Sequence, residues 1–157
     1  MRKSITTVFA AATCLAFAVA AYAGGFFVVL GSPEASPEAR AHNAYVTIKM
    51  AGCHEPEKAT VSGLAIGMVA GRRQTVDLKL TPLAEPGMYA VARQWPAEGR
   101  WVLEFVAHDH ERVTSAVVLA GPLAIERQTA KYGMNPPSAD DVAALLDGAP
   151  AAKIAQK

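Results

Sequence analysis

The chain has 157 residues, of which 52% are hydrophobic, and its 15 basic and 14 acidic residues give a net charge of +1. This length is typical of one domain with a sizeable core. A nearly neutral domain has no electrostatic basis for binding nucleic acid or anionic membrane surfaces.

The first 30 residues have the pattern of a secretory signal. Arg2 and Lys3 precede a run of residues without charge, and Ala-Tyr-Ala at 21–23 is a small-x-small cleavage site. We therefore predict a signal peptide over residues 1–23 and a periplasmic or secreted location. Cleavage leaves 134 residues with a net charge of −1, because the signal holds two basic residues and no acidic ones.

The same uncharged run is long enough for a membrane helix, which needs about 20 residues. An uncleaved segment would anchor the chain with its domain outside the cytoplasm, since Arg2 and Lys3 stay on the cytoplasmic side. Contact with a membrane is thus expected only if the segment is retained. Cleavage removes Cys14 and leaves Cys53 as a single thiol, so the core must stabilise the exported domain without disulfides.

Residues 24–43 are predicted to be a linker. Ser-Pro-Glu-Ala at 32–35 is repeated at 36–39, and enrichment in Pro and Glu favours a solvated, semi-extended segment. Within this linker Pro37 suits the first position of a short helical turn. The apolar residues 26–30 add a seventh strand if the signal is cut after Ala23.

Alternation of apolar and polar residues begins at Asn43 and continues to Pro122. Alternation over about five to eight residues is typical of half-buried strands, and turn residues separate the runs. Six strands without a long helix between them indicate an antiparallel sandwich or barrel, which we place at residues 44–120. The alternation predicts strands at residues 44–50, 60–68, 75–80, 88–92, 100–106 and 113–119.

Residues 121–157 are predicted to be coil and one short helix. Ser138 is suited to cap this helix, and two aspartates follow in its first turn. Val142, Leu145 and Leu146 form one apolar face, and Gly148 ends the helix.

Two local patterns are more specific than the alternation. Pro86-Gly87-x-Tyr89 opens a strand after a tight corner, where a tyrosine hydroxyl can donate to an upstream backbone carbonyl. Gly99-x-Trp101 follows a short turn and is expected to place its indole in the core beside Leu103 and Phe105.

With these motifs, the stretch 86–105 resembles the YtkA-like and FixH-like domains. The resemblance implies an immunoglobulin-like Greek-key sandwich of six to seven strands with a short C-terminal helix. It also implies a non-enzymatic binding or accessory module of the periplasm. FixH-like relatives are linked to cytochrome oxidase assembly and metal-cation handling, an association that carries over to no particular residue of this chain.

Four residues have the chemistry of ligands for a soft metal ion: Cys53, His54, His108 and His110. Cu(I) prefers thiolate, thioether and imidazole ligands. The two later histidines share a face if their segment is extended. They reach the thiol only if the two turns lie at the same end of the sandwich. The set lacks the spacing of any strong metal motif, and three methionines, at positions 50, 68 and 88, are expected to be packing residues.

Copper binding or copper delivery through these four residues is therefore the alternative function, and a thiol-redox role of Cys53 is a further one. No catalytic motif is present in the sequence, so we predict neither an enzyme nor an organic cofactor. The expected partner is an unidentified protein at the cell envelope, with no nucleic acid.

Overall fold

The structure is a computed structural model that describes residues 25–52 and 55–148. Nine strands and two α-helices are found in these residues, together with three short 3-10 turns. The strands are β1 (Phe26–Gly31), β2 (Ala44–Gly52), β3 (Thr60–Val69), β4 (Arg72–Asp77), β5 (Thr81–Pro82), β6 (Met88–Ala92), β7 (Arg100–Asp109), β8 (Arg112–Ala120) and β9 (Lys131–Gly133). The helices are α1 (Pro37–Ala41) and α2 (Ala139–Leu146), and the 3-10 turns are Pro33–Ala35, Pro56–Lys58 and Arg127–Thr129.

The strands form two antiparallel sheets, which confirms the predicted all-β class. The first sheet has the order β1-β2-β6-β5 and the second has the order β4-β3-β7-β8-β9. All six strands predicted from the alternation are present, as β2, β3, β4, β6, β7 and β8. The two-residue β5 and the three-residue β9 are too short for a periodic pattern to indicate them.

One apolar layer between the two sheets holds them together. Val28 and Ile48 of the first sheet and Trp101, Leu103 and Phe105 of the second all belong to it, and each is at most 2% exposed. The alternation buries every second residue of a strand in this layer, because successive side chains point to opposite faces. The predicted inward orientation of Trp101, Leu103 and Phe105 is confirmed.

The segment 24–43 differs from the predicted linker. Its residues 26–31 form β1, which pairs with β2 and buries Phe26, Val28 and Leu30. Burial of these side chains stabilises the folded chain, because each large apolar side chain that leaves water contributes about 1.5–3 kcal/mol to the free energy of folding. The strand that was expected here from residues 26–30 is thus confirmed.

The rest of that segment lies on the outer face of the first sheet. The Ser36 hydroxyl accepts a hydrogen bond from the Ala39 amide at 3.1 Å and so caps α1. Ala39 is fully buried against Leu83 and Ala90. A five-residue helix of this kind is held by its cap and its buried alanine rather than by its length.

Helix α2 covers part of the outer face of the second sheet. The Ser138 hydroxyl accepts from the Asp141 amide at 3.1 Å, as the predicted cap requires. Val142 and Leu145 are buried against Val102, Ile66 and Leu119. The prediction of a short capped helix with one apolar face is therefore confirmed.

Among the described residues, the tyrosine hydroxyl that donates to a backbone carbonyl is that of Tyr45 and not, as predicted, that of Tyr89. Tyr45 is 8% exposed and its hydroxyl donates to the Gly121 carbonyl at 2.8 Å. Tyr89 is half-buried, and among the described residues its hydroxyl donates to no carbonyl. The Pro86-Gly87 turn is present, but Tyr89 follows it on β6 with a side chain that is only half-buried.

We expect Tyr45→Phe to lower the free energy of unfolding by about 1–3 kcal/mol, because it leaves the buried Gly121 carbonyl without a partner. Urea denaturation at pH 7 measures the change. Tyr89→Phe is the matched control and should have little effect. An equal loss for both variants would contradict the assignment.

None of the helices in residues 25–52 and 55–148 is long and apolar enough to cross a membrane. The predicted signal peptide, with the cleavage site after Ala23, lies outside the described residues, as does the end of the chain beyond Gly148.

Candidate functional site

The structure describes two of the four predicted metal ligands. Cys53 and His54 lie outside the described residues. His108 is the penultimate residue of β7, and His110 follows the strand in a two-residue turn to β8. Both side chains are exposed to solvent.

The described residues on both sides of the predicted cysteine-histidine pair lie at the end of the sandwich where β7 turns into β8. Gly52, the last residue of β2, is opposite Phe26. The Arg112 guanidinium lies 5.6 Å from the centroid of the Phe26 ring. Thr60, the first residue of β3, is opposite His108. The shared end on which the copper alternative depends is therefore present.

The backbone leaves the extended conformation at His110, whose φ is +53°. Two residues separated by one position share a face only within a strand, and β7 ends at Asp109. The extended geometry that would let His108 and His110 converge on one ion therefore ends at His110.

A buried carboxylate occupies this turn, and the sequence pattern did not indicate it. Asp109 is 8% exposed and forms an ion pair with Arg112, the residue opposite it across the turn. The Nε2 atom of His110 lies 3.8 Å from Asp109 Oδ1. Because Arg112 already neutralises this carboxylate, the pair closes the hairpin. The Asp-x-x-Arg spacing across a two-residue turn is the signal that could have revealed it.

No group of three or more His, Cys, Asp or Glu side chains that could hold a metal ion occurs in the part of the chain that the structure describes. Of the three methionines, Met50 is buried in the layer between the sheets at 3% exposure. Met88 is half-buried on β6 and Met68 is 37% exposed on β3. Their positions are those of packing residues at the sheet surface and in the core.

The opposite end of the sandwich holds an arginine that joins two loops. The Arg93 guanidinium donates to the carbonyls of Pro122, Pro96 and Ala97 at 3.0–3.3 Å. It also lies 5.6 Å from the ring centroid of Trp95, which supports a cation–π contact.

Trp95 itself is 4% exposed and packs edge-on against Tyr45, with the ring centroids 5.1 Å apart. Burial raises the pKa of Tyr45 to about 12. Within the described residues, two buried nitrogens of this cluster, Arg93 Nε and Trp95 Nε1, have no hydrogen-bond partner. Arg93 thus connects the two loops beside a buried aromatic pair.

The described surface includes a larger and a smaller depression. The larger one, of about 760 Å³, lies between β9 and the first turn of α2 and is lined by Val117, Tyr132, Met134 and the Pro136-Pro137 pair. The smaller one, of about 270 Å³, lies beside Arg93 and Arg100. The sequence gives no sign of the larger groove, because β9 and the proline pair fall in a stretch without periodicity.

Glu104 makes the stability of the folded chain depend on pH. It lies on β7 between Leu64 and Val117, and burial raises its pKa above the ordinary value of 4.5. The folded state therefore binds this proton more tightly than the unfolded chain does. Stability falls as the pH rises through 4.5, and the penalty is complete above the folded pKa.

We expect Glu104→Gln to raise the melting temperature at pH 7 and to leave it nearly unchanged well below pH 4.5, because the carboxyl is then neutral in both states. Thermal unfolding followed by circular dichroism at the two pH values measures this difference. The exposed Glu98→Gln is the control. A stabilisation that is equal at both pH values would exclude the titration of Glu104 as its cause.

Comparison with known proteins assigns the chain to no family: no family model matches it, and neither a curated protein nor a solved structure does.

Proposed function

We propose that the chain is an exported, non-enzymatic binding or accessory module that works at the cell envelope, in the manner of the YtkA-like domains that it resembles. The observation that carries the proposal is the position of β1 behind the signal sequence. β1 begins at Phe26, three residues after Ala23. Cleavage at the predicted site therefore leaves both described sheets whole, as an exported domain requires.

The strand order supports an immunoglobulin-like sandwich. The order β1-β2-β6-β5 corresponds to strands A, B, E and D of that fold, and β4-β3-β7-β8 corresponds to C′, C, F and G. The chain crosses between the sheets after β2, β4 and β6, as a Greek-key sandwich does. β9 is an addition to the edge of the second sheet.

The polar clusters at the two ends of the sandwich support a scaffold role. Asp109 is neutralised by Arg112 at one end, and Arg93 is bound to three loop carbonyls at the other. Charged groups that form such ion pairs and hydrogen bonds stabilise the turns and loops. Those loops are the surfaces with which sandwich domains usually bind their partners.

Fractionation of cells that express the full chain tests the export on which this function rests. We expect the protein outside the cytoplasm, with an N-terminal sequence that begins at Gly24. An Ala23→Leu variant, which places a bulky residue at the cleavage site, should keep Met1 or the residues next to it. Recovery of the chain in the cytoplasm would contradict the proposal.

Copper binding is the second candidate, and the shared end of the sandwich favours it. Thr60 pairs with His108, and Gly52 lies opposite Phe26, which Arg112 contacts. A thiolate at Cys53 together with an imidazole from the β7–β8 turn would provide two ligands that Cu(I) accepts. In this arrangement Cys53 and His54 supply one loop and His108 or His110 the other.

A further inference from the structure

Strand β1 exposes two large apolar side chains on one face. Phe27 is 54% exposed and Val29 is 44% exposed. Since they are two positions apart in a strand, they point to the same side of the first sheet. Side by side on an edge strand, they form a small exposed apolar patch at the start of the domain.

The Phe27 ring is directed toward the beginning of the chain. It lies so close to Gly25 that a Cβ at this position would overlap the ring. The apolar surface therefore begins at the point where residues 1–24 join the domain. A side chain at position 25 would make the exposed Phe27 ring turn aside.

The segment that joins the domain at this point is uncharged over residues 5–24. A helix of about 20 residues is about 30 Å long, which is the thickness of the hydrocarbon core of a bilayer. Such a helix would leave no residues for a linker before Gly25. Phe27 is then within about 10 Å of the end of the helix, since a residue of extended chain covers at most about 3.6 Å.

We propose that, while the N-terminal segment is in the membrane, Phe27 and Val29 insert into the headgroup layer and hold the first sheet against the bilayer. The headgroup layer adds about 5–7 Å on each side of the hydrocarbon core, so Phe27 and Val29 both reach it when β1 lies along the membrane surface rather than perpendicular to it. This contact applies to the chain before cleavage and to an anchored form, and it does not depend on what the module binds.

A second copy of the chain is a poorer occupant of this surface. Stable protein interfaces bury about 1,200–2,000 Å² in total, and two half-exposed side chains provide only a small part of that area. Insertion into a bilayer has no such minimum when a hydrophobic segment already holds the chain at the surface.

Tryptophan quenching by brominated lipids tests the contact. The full chain is synthesised without signal peptidase in the presence of vesicles that contain brominated phosphatidylcholine. The probe is Phe27→Trp, and the matched control is Tyr132→Trp, at a residue that is 60% exposed on the second sheet. Trp95 and Trp101 are 4% and 1% exposed, so they add little quenching of their own.

We expect a loss of fluorescence from Phe27→Trp, relative to the same chain in vesicles without bromine, and little loss from Tyr132→Trp. Equal quenching of the two variants would show that the domain has no preferred face toward the membrane and would overturn the proposal. Absence of quenching at position 27 would also overturn it. A concentration-dependent change of the Phe27→Trp spectrum without quenching would assign this surface to a second copy instead.

Discussion

Trp101→Ala is expected to lower the free energy of unfolding by about 3–5 kcal/mol, because it leaves a large cavity between the sheets. The indole is 1% exposed, and its Nε1 atom donates to the Glu98 carbonyl at 2.8 Å. Domains of this size are stable by only about 5–15 kcal/mol. The variant therefore loses a large part of its stability and is expected to be largely unfolded at 37 °C if the native domain is near the lower limit.

Urea denaturation followed by far-UV circular dichroism measures this loss without relying on tryptophan fluorescence. Leu123→Ala is the control, since Leu123 is 92% exposed and surface substitutions usually change stability by less than about 0.5 kcal/mol. If Trp101→Ala unfolds at the same urea concentration as the native chain, the indole is not part of the core.

Gly67→Ala has the second large effect, for a reason that involves the same indole. Gly67 lies opposite Trp101 on the neighbouring strand, and a Cβ at this position would lie 2.7 Å from Trp101 Cε2 and closer to other ring atoms. Real Cβ atoms do not approach a ring this closely, so the indole or the strand must move. Overpacking of this kind costs about 1–3 kcal/mol.

A double-mutant cycle isolates this clash. In a Trp101→Leu background the smaller side chain leaves room, so Gly67→Ala should cost much less than it does in the native chain. Denaturation of the four proteins gives the coupling energy between the two positions. A cost of Gly67→Ala that is the same in both backgrounds would mean that the loss arises from the strand alone.

The strands and the core were predictable from the sequence because both follow from alternation. Each of the six predicted strands alternates apolar and polar residues, and Trp101, Leu103 and Phe105 occupy the buried positions of one of them. Apolar periodicity indicates which face of a strand is buried even where the partner strand is not known.

The beginning of the chain was harder to predict because two signals overlap there. Residues 26–30 continue the uncharged run that begins in the predicted signal, and they also form most of β1. Composition alone favoured a linker for the residues that follow, since Pro and Glu are typical of solvated segments. In the structure this helix is held on the sheet by the buried Ala39, by the Ser36 cap and by the Glu38 carboxylate, which accepts from the Ala84 amide.

Long-range polar contacts could not be predicted, because they depend on how the loops meet. Tyr45 donates to Gly121, which is 76 positions away, and Arg93 donates to Pro122, 29 positions away. The candidate metal site likewise depends on contacts between residues that are far apart in the sequence. The sequence provides its residue types, and only the register of β3 with β7 shows that Thr60 meets His108.

Cu(I) titration of the exported protein, with metal analysis of the purified sample, tests most directly whether the chain is an accessory module or a copper protein. We expect no tight stoichiometric binding and the same weak response from the native chain and from Cys53→Ser. Tight binding of one Cu(I) per chain that is lost in Cys53→Ser would contradict this expectation and would make copper binding the function of the chain.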